Sequence, residues 1–87
     1  MAKYFNNNLK HLRNILDVSQ QEIADKIKVD RSSISRWEKG EIDTPLEAAL
    51  NIADFFKIKY EFFFGKDLTK ITKEELQNYL KEDTTTK

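Results

Sequence analysis

Between Asp30 and Gly40 the chain reads DRSSISRWEKG, and the spacing of these side chains gives a helix two unlike faces. At about 100° per residue, Arg31, Ser32, Ser35, Arg36 and Lys39 fall within one arc of roughly 140°. Ile34 and Trp37 fall on the opposite side, with Glu38 on a flank. Arginine can make a bidentate pair with O6 and N7 of guanine, while hydroxyls and lysine serve base edges and phosphate oxygens. A helix anchored by an aliphatic side chain and an indole, and presenting that donor set, suits the major groove of DNA. The plainer alternative is the solvated outer face of an ordinary bundle helix.

Other chemistries lack their parts. The chain has no cysteine, so disulfides, thiolate metal sites and thiol nucleophiles are excluded, and His11 is the only histidine. There is no His/Asp/Ser set, no glycine-rich phosphate loop and no metal-ligand spacing. The expectation is a protein that is not an enzyme and needs no metal or cofactor, with no small-molecule substrate evident. No apolar run approaches the roughly 20 residues of a membrane span, and the start lacks a signal-peptide pattern. A cytoplasmic protein is expected, with no membrane partner. The formal net charge is zero, but residues 1–40 carry eight Lys/Arg against five Asp/Glu, and residues 41–87 carry seven against ten. A basic front on an acidic back still gives a local field for a polyanion.

The elements that position these residues read as helices throughout, on a chain of 87 residues that allows one domain with a small core. A first helix is expected over residues 6–16, capped from the asparagine run, with Phe5, Leu9, Leu12 and Leu16 at helical spacing. Ser19-Gln20-Gln21-Glu22 is a capping box opening a second helix to Ile27, and Asp30 opens the third in the same way, with Gly40 as its stop. A fourth helix starts with Thr44 as cap, Pro45 at the first helical position and Glu47 completing a box. Its expected buried stripe is Leu46, Ala49, Leu50, Ala53 and Phe56, flanked by Ile52. Residues 60–64 should form a short fifth helix ending at Gly65, with too many aromatics for one face, so that Phe62 stays exposed or meets another chain. Thr72 and Glu75 make another box opening a sixth helix, before a polar tail at 83–87 expected to be disordered. His11 lies off the apolar stripe and is expected to meet solvent or phosphate.

Residues 9–65 resemble the helix-turn-helix family of phage repressors, Cro proteins and XRE-type bacterial transcriptional regulators. The resemblance rests on Leu12-Arg13, Ser19-Gln20, Glu22, Ile23-Ala24, Ile27, Val29, the run from Ser33 through Gly40, and Ile52-Ala53. It implies an all-α, lambda-repressor-like bundle of five or six helices. Residues 1–68 would be the DNA-binding domain and 69–82 a C-terminal helix that is a candidate dimerisation element. It further implies sequence-specific binding of double-stranded DNA by a small transcriptional repressor or regulator. Residues 30–39 would be the recognition helix, with Arg31, Ser32, Ser35 and Arg36 facing bases and Gln20, Lys39, Lys10 and Lys28 facing phosphates. In the family, the counterparts of Arg13 and Glu38 form an ion pair joining the first helix to the third.

The family places glycine where the chain turns through positive φ, and here Asp17, Lys28 and Lys57 stand at those positions. The loop Glu41-Ile42-Asp43 is acidic where relatives often touch phosphate, which weakens a backbone clamp there. A homodimer on a palindromic operator is expected, with Phe62, Leu76, Tyr79 and Leu80 as candidate contacts. The rival readings are a protein-interaction module, such as an antitoxin or regulatory adaptor, and the DNA-binding part of a longer repressor.

Overall fold

Apolar side chains from every helix meet in one core. The computed structural model describes residues 4–80, and the tail expected to be disordered lies outside them. Five helices follow in order: α1 (Phe5–Ile15), α2 (Gln20–Ile27), α3 (Arg31–Lys39), α4 (Leu46–Phe56) and α5 (Tyr60–Gly65). Phe5, Leu9 and Leu12 of α1 join Ile23 and Ala24 of α2, Ile34 and Trp37 of α3, Ala49, Ile52, Ala53 and Phe56 of α4, and Phe63 of α5. α3 packs on both α1 and α2, while α4 packs on α2 and α5. The architecture is all-helical.

The turns fall where the sequence places them. Ser19 Oγ accepts the N–H of Glu22 at 3.0 Å, and Glu22 Oε1 accepts the N–H of Ser19 at 2.8 Å, closing the capping box of α2. Asp17, Lys28 and Lys57 adopt φ of 57°, 65° and 60°, the left-handed region that costs an L side chain about 1 kcal/mol or more. Gly40 ends α3 at φ 74°.

Several local expectations are corrected. α1 begins one residue early, with Tyr4 at the cap position and no side-chain cap bond, so all three asparagines lie inside the helix. Asn8 sits three residues after Phe5 and four before Leu12, on the apolar face, and is fully buried. Its Nδ2 donates to the carbonyls of Phe63 at 2.9 Å and Lys66 at 2.7 Å, and its Oδ1 accepts the N–H of Leu68 at 2.8 Å. His11 Nε2 lies 2.9 Å from the Ile71 carbonyl, a bond to the chain itself in place of solvent or phosphate.

Asp30 makes no side-chain cap bond; its carbonyl accepts the N–H of Ser33 instead. At α4, Pro45 takes the cap position with extended ψ and Leu46 is the first helical residue. Thr44 is thereby one position too early to reach the third helical N–H, and its hydroxyl is buried without a partner. The buried arc of α4 is turned toward Ile52, which leaves Leu46 63% and Leu50 38% exposed.

Of the aromatics in α5, Phe63 is buried against Phe5 and Phe56, and Phe62 packs edge-on against Tyr79 at 5.3 Å within the same chain. Tyr60 is the exposed one. The Thr72–Glu75 box forms, yet it opens only a 3-10 turn over Glu75–Tyr79 in place of a sixth α-helix. Leu80 then leaves in an extended conformation to pair with Ile58 in an isolated antiparallel bridge, which ends any helix there. Just before that segment, the hydroxyl and N–H of Thr69 donate to Asp67, in that order of effect, and hold its carboxyl below the usual range.

Candidate nucleic-acid interface

One start signal, one turn and one stop set the orientation of α3. The capping box fixes the first turn of α2, the Lys28 turn reverses the chain, and Gly40 releases it after Lys39. Ile34 and Trp37 are buried, which leaves Arg31, Ser32, Arg36 and Lys39 exposed and Ser35 half-buried beside them.

A polar relay ties this surface to two other helices. Arg13 Nε donates to Glu38 Oε2 at 2.7 Å, and Arg13 Nη2 to Glu38 Oε1 at 3.1 Å, a two-point pairing. Arg13 Nη1 also donates to the Val18 carbonyl at 3.2 Å, so one guanidinium holds the loop before α2 as well. Gln20 Nε2 donates to Glu38 Oε1 at 3.1 Å. That bond turns Gln20 Oε1 outward, where Arg31 Nη1 donates to it at 3.3 Å. The Glu38 side chain is only 4% exposed and Arg13 18%, so the charge at the root of the relay is largely out of water. The relay runs from α1 through the end of α3 and the start of α2 to the start of α3.

Lys10, Arg13, Gln20, Ser35, Glu38 and Lys39 line one small cleft of about 200 Å³. The structure therefore gathers Lys10, Gln20, Ser35 and Lys39 at one place beside the exposed arginines of α3. Lys28 lies elsewhere, with Lys26 and Lys57 around a groove between the ends of α2 and α4. The capping box uses the N–H of Glu22, while those of Gln20 and Gln21 have no acceptor within the helix. The candidate dimer residues occupy a different edge. Leu76 is buried in the core, Tyr79 and Leu80 are partly buried, and Phe62 is spoken for by Tyr79.

The bonds of Gln20 to Glu38 and Arg31 were not legible in the sequence, since they join residues eighteen and eleven positions apart through side-chain rotamers. The groove around Lys28 and Lys57 was missed too, although two lysines at left-handed positions were the available signal. Among the described residues, no group of three or more His, Cys, Asp or Glu could hold a metal ion. No helix among them is long and apolar enough to cross a membrane.

Residues 9–63 match the helix-turn-helix family. The uncharacterized HTH-type transcriptional regulator MJ0272 of Methanocaldococcus jannaschii is 40% identical over 58 residues, covering 67% of this chain and 88% of that protein. The HTH-type transcriptional activator BcrR of Enterococcus faecalis is 30% identical over 79 residues, covering 90% of this chain but 39% of that protein. No solved structure matches the chain at a significant level. By its residues, its fold and its relatives, the chain belongs to the helix-turn-helix family of transcriptional regulators.

Proposed function

We propose that this protein binds double-stranded DNA sequence-specifically, with α3 in the major groove, and acts as a small transcriptional repressor by occupying its operator. The observation that carries the reading is the exposed Arg31/Ser32/Arg36 face, held to α1 and α2 by the relay through Glu38 and Gln20. Recognition needs donors held rigidly in register with base edges, and a helix tied at both ends supplies that. Arg31, Ser32, Ser35 and Arg36 read bases. Gln20, Lys10 and Lys39, gathered at the adjoining cleft, grip phosphates.

Two copies bind a palindromic operator, one per half-site. Half-sites one helical turn apart lie about 34 Å from centre to centre. The molecule measures 39 × 25 × 23 Å, so neighbouring copies come within reach of each other. The proposed seam is the edge formed by Phe62, Tyr79 and Leu80, with Leu76 buried in the core behind it.

Selection from a random duplex pool by the purified protein tests this. The expected result is one enriched palindrome, bound by two copies per duplex in sedimentation. Failure to enrich any sequence would refute the reading and favour a protein-interaction module.

A further inference from the structure

Two surfaces remain outside the DNA-binding face, and they complement each other. The first is a ridge. Ile42 is 45% exposed, Leu46 63% and Leu50 38%, and they recur every four residues from the loop into α4. Exposed Glu41, Asp43 and Glu47 are interleaved with them. An apolar line of this kind in water, bordered by charge, is the anatomy of a contact surface.

The second is the groove of about 650 Å³ between the ends of α2 and α4. Ile27 and Phe55 provide its apolar lining, and Lys26, Lys28 and Lys57 surround them, with Asn51 and Asp54 completing the wall. Lys28 and Lys57 are the C-caps of α2 and α4, both left-handed, where glycine would avoid a cost of about 1 kcal/mol or more each. A cation at a helix C-terminus recovers roughly 0.3–1 kcal/mol, which can offset most of that cost, so what the two lysines add at the groove is their charge.

We propose that the ridge of one copy docks into the groove of another. Three carboxylates meet a groove whose three ammonium groups outnumber its one carboxylate, Asp54, and Leu46 and Leu50 cover Ile27 and Phe55. A chain of zero formal net charge has no long-range repulsion opposing the approach. Made once per pair, the contact is head-to-tail and leaves a free groove on one copy and a free ridge on the other. It would therefore link successive copies in one direction and couple the filling of neighbouring operators. The pairing proposed through α5 closes at two and is a separate contact.

Sedimentation equilibrium of the full chain without DNA tests this independently of the DNA-binding reading. At low ionic strength the average mass should rise with protein concentration beyond that of a dimer, and 0.5 M salt should reverse the rise. Leu46→Asp on the ridge and Lys57→Glu in the groove each alter an exposed position, and each should weaken association about tenfold or more. Leu50→Asp and Lys26→Glu serve as second variants should either fail to fold. Mixed in equal amounts, the ridge variant and the groove variant retain one intact contact between them, so association should reappear, with no more than one ridge-in-groove contact per molecule. A mass that never rises above the dimer, a rise untouched by Leu46→Asp, or a mixture that restores nothing would each overturn the proposal. So would a loss of DNA affinity on Lys57→Glu with self-association intact, which would give the groove to phosphate.

Discussion

Glu38 accepts hydrogen bonds from Arg13 and Gln20 while its side chain is almost out of water, so those partners replace the hydration it has lost. Arg13→Ala should therefore lower stability by about 3 kcal/mol, most of it the penalty of a buried carboxylate left without its cation. A double-mutant cycle with Glu38→Gln in urea melts should show clear coupling; additive effects would remove the relay from the account. Asn8 carries a similar burden on the opposite side of the core. Asn8→Ala strips partners from three backbone groups and should cost about 2 kcal/mol or more, read as a lower urea midpoint. At this scale the sequence was unevenly legible. Arg13 and Glu38 were marked through family resemblance, and the α3 face by spacing alone. The asparagine run reads as a cap because asparagine favours caps, although the place of Asn8 on the apolar stripe of α1 signals burial.

Helices with strong start and stop signals were found to within about a residue, since a capping box or a helix-ending glycine fixes the backbone locally. α4 was found, but its rotation was not. Periodicity gave Leu46 and Leu50 to the core, whereas the small Ala49 and Ala53 and the branched Ile52 set the buried face in the packed structure. The C-terminal segment escaped for a related reason. A box can start a turn, but only tertiary pairing of Leu80 with Ile58 decides how far it continues. The three left-handed residues were legible through the resemblance, because the family places glycine at those turns. Lys28→Gly and Lys57→Gly relieve the left-handed cost but lose the helix-dipole contribution of the cation, so each should raise stability by up to about 1 kcal/mol in denaturant melts. The same substitutions should weaken self-association, so that stability and contact move in opposite directions.

The whole molecule has no formal net charge, but its charge is patterned: cations gather on the α3 side and around the groove between α2 and α4, and carboxylates along the α4 ridge. Non-specific affinity for DNA should consequently be low, because it scales with the phosphates neutralised, and discrimination must come from base contacts. Arg31 and Arg36 can each make a bidentate guanine contact, typically worth about 1–3 kcal/mol of discrimination. Lys39, exposed at the end of α3 beside the cleft it shares with Lys10 and Gln20, should instead grip the backbone. An affinity matrix of variants against operator sequences, taken at several salt concentrations, separates the two roles. Arg36→Ala should relax preference at one or two base positions per half-site. Lys39→Ala should weaken all sequences alike and reduce the salt slope by roughly one unit per bound copy. Uniform weakening by Arg36→Ala, with base preferences intact, would contradict the claim that Arg36 on α3 reads bases.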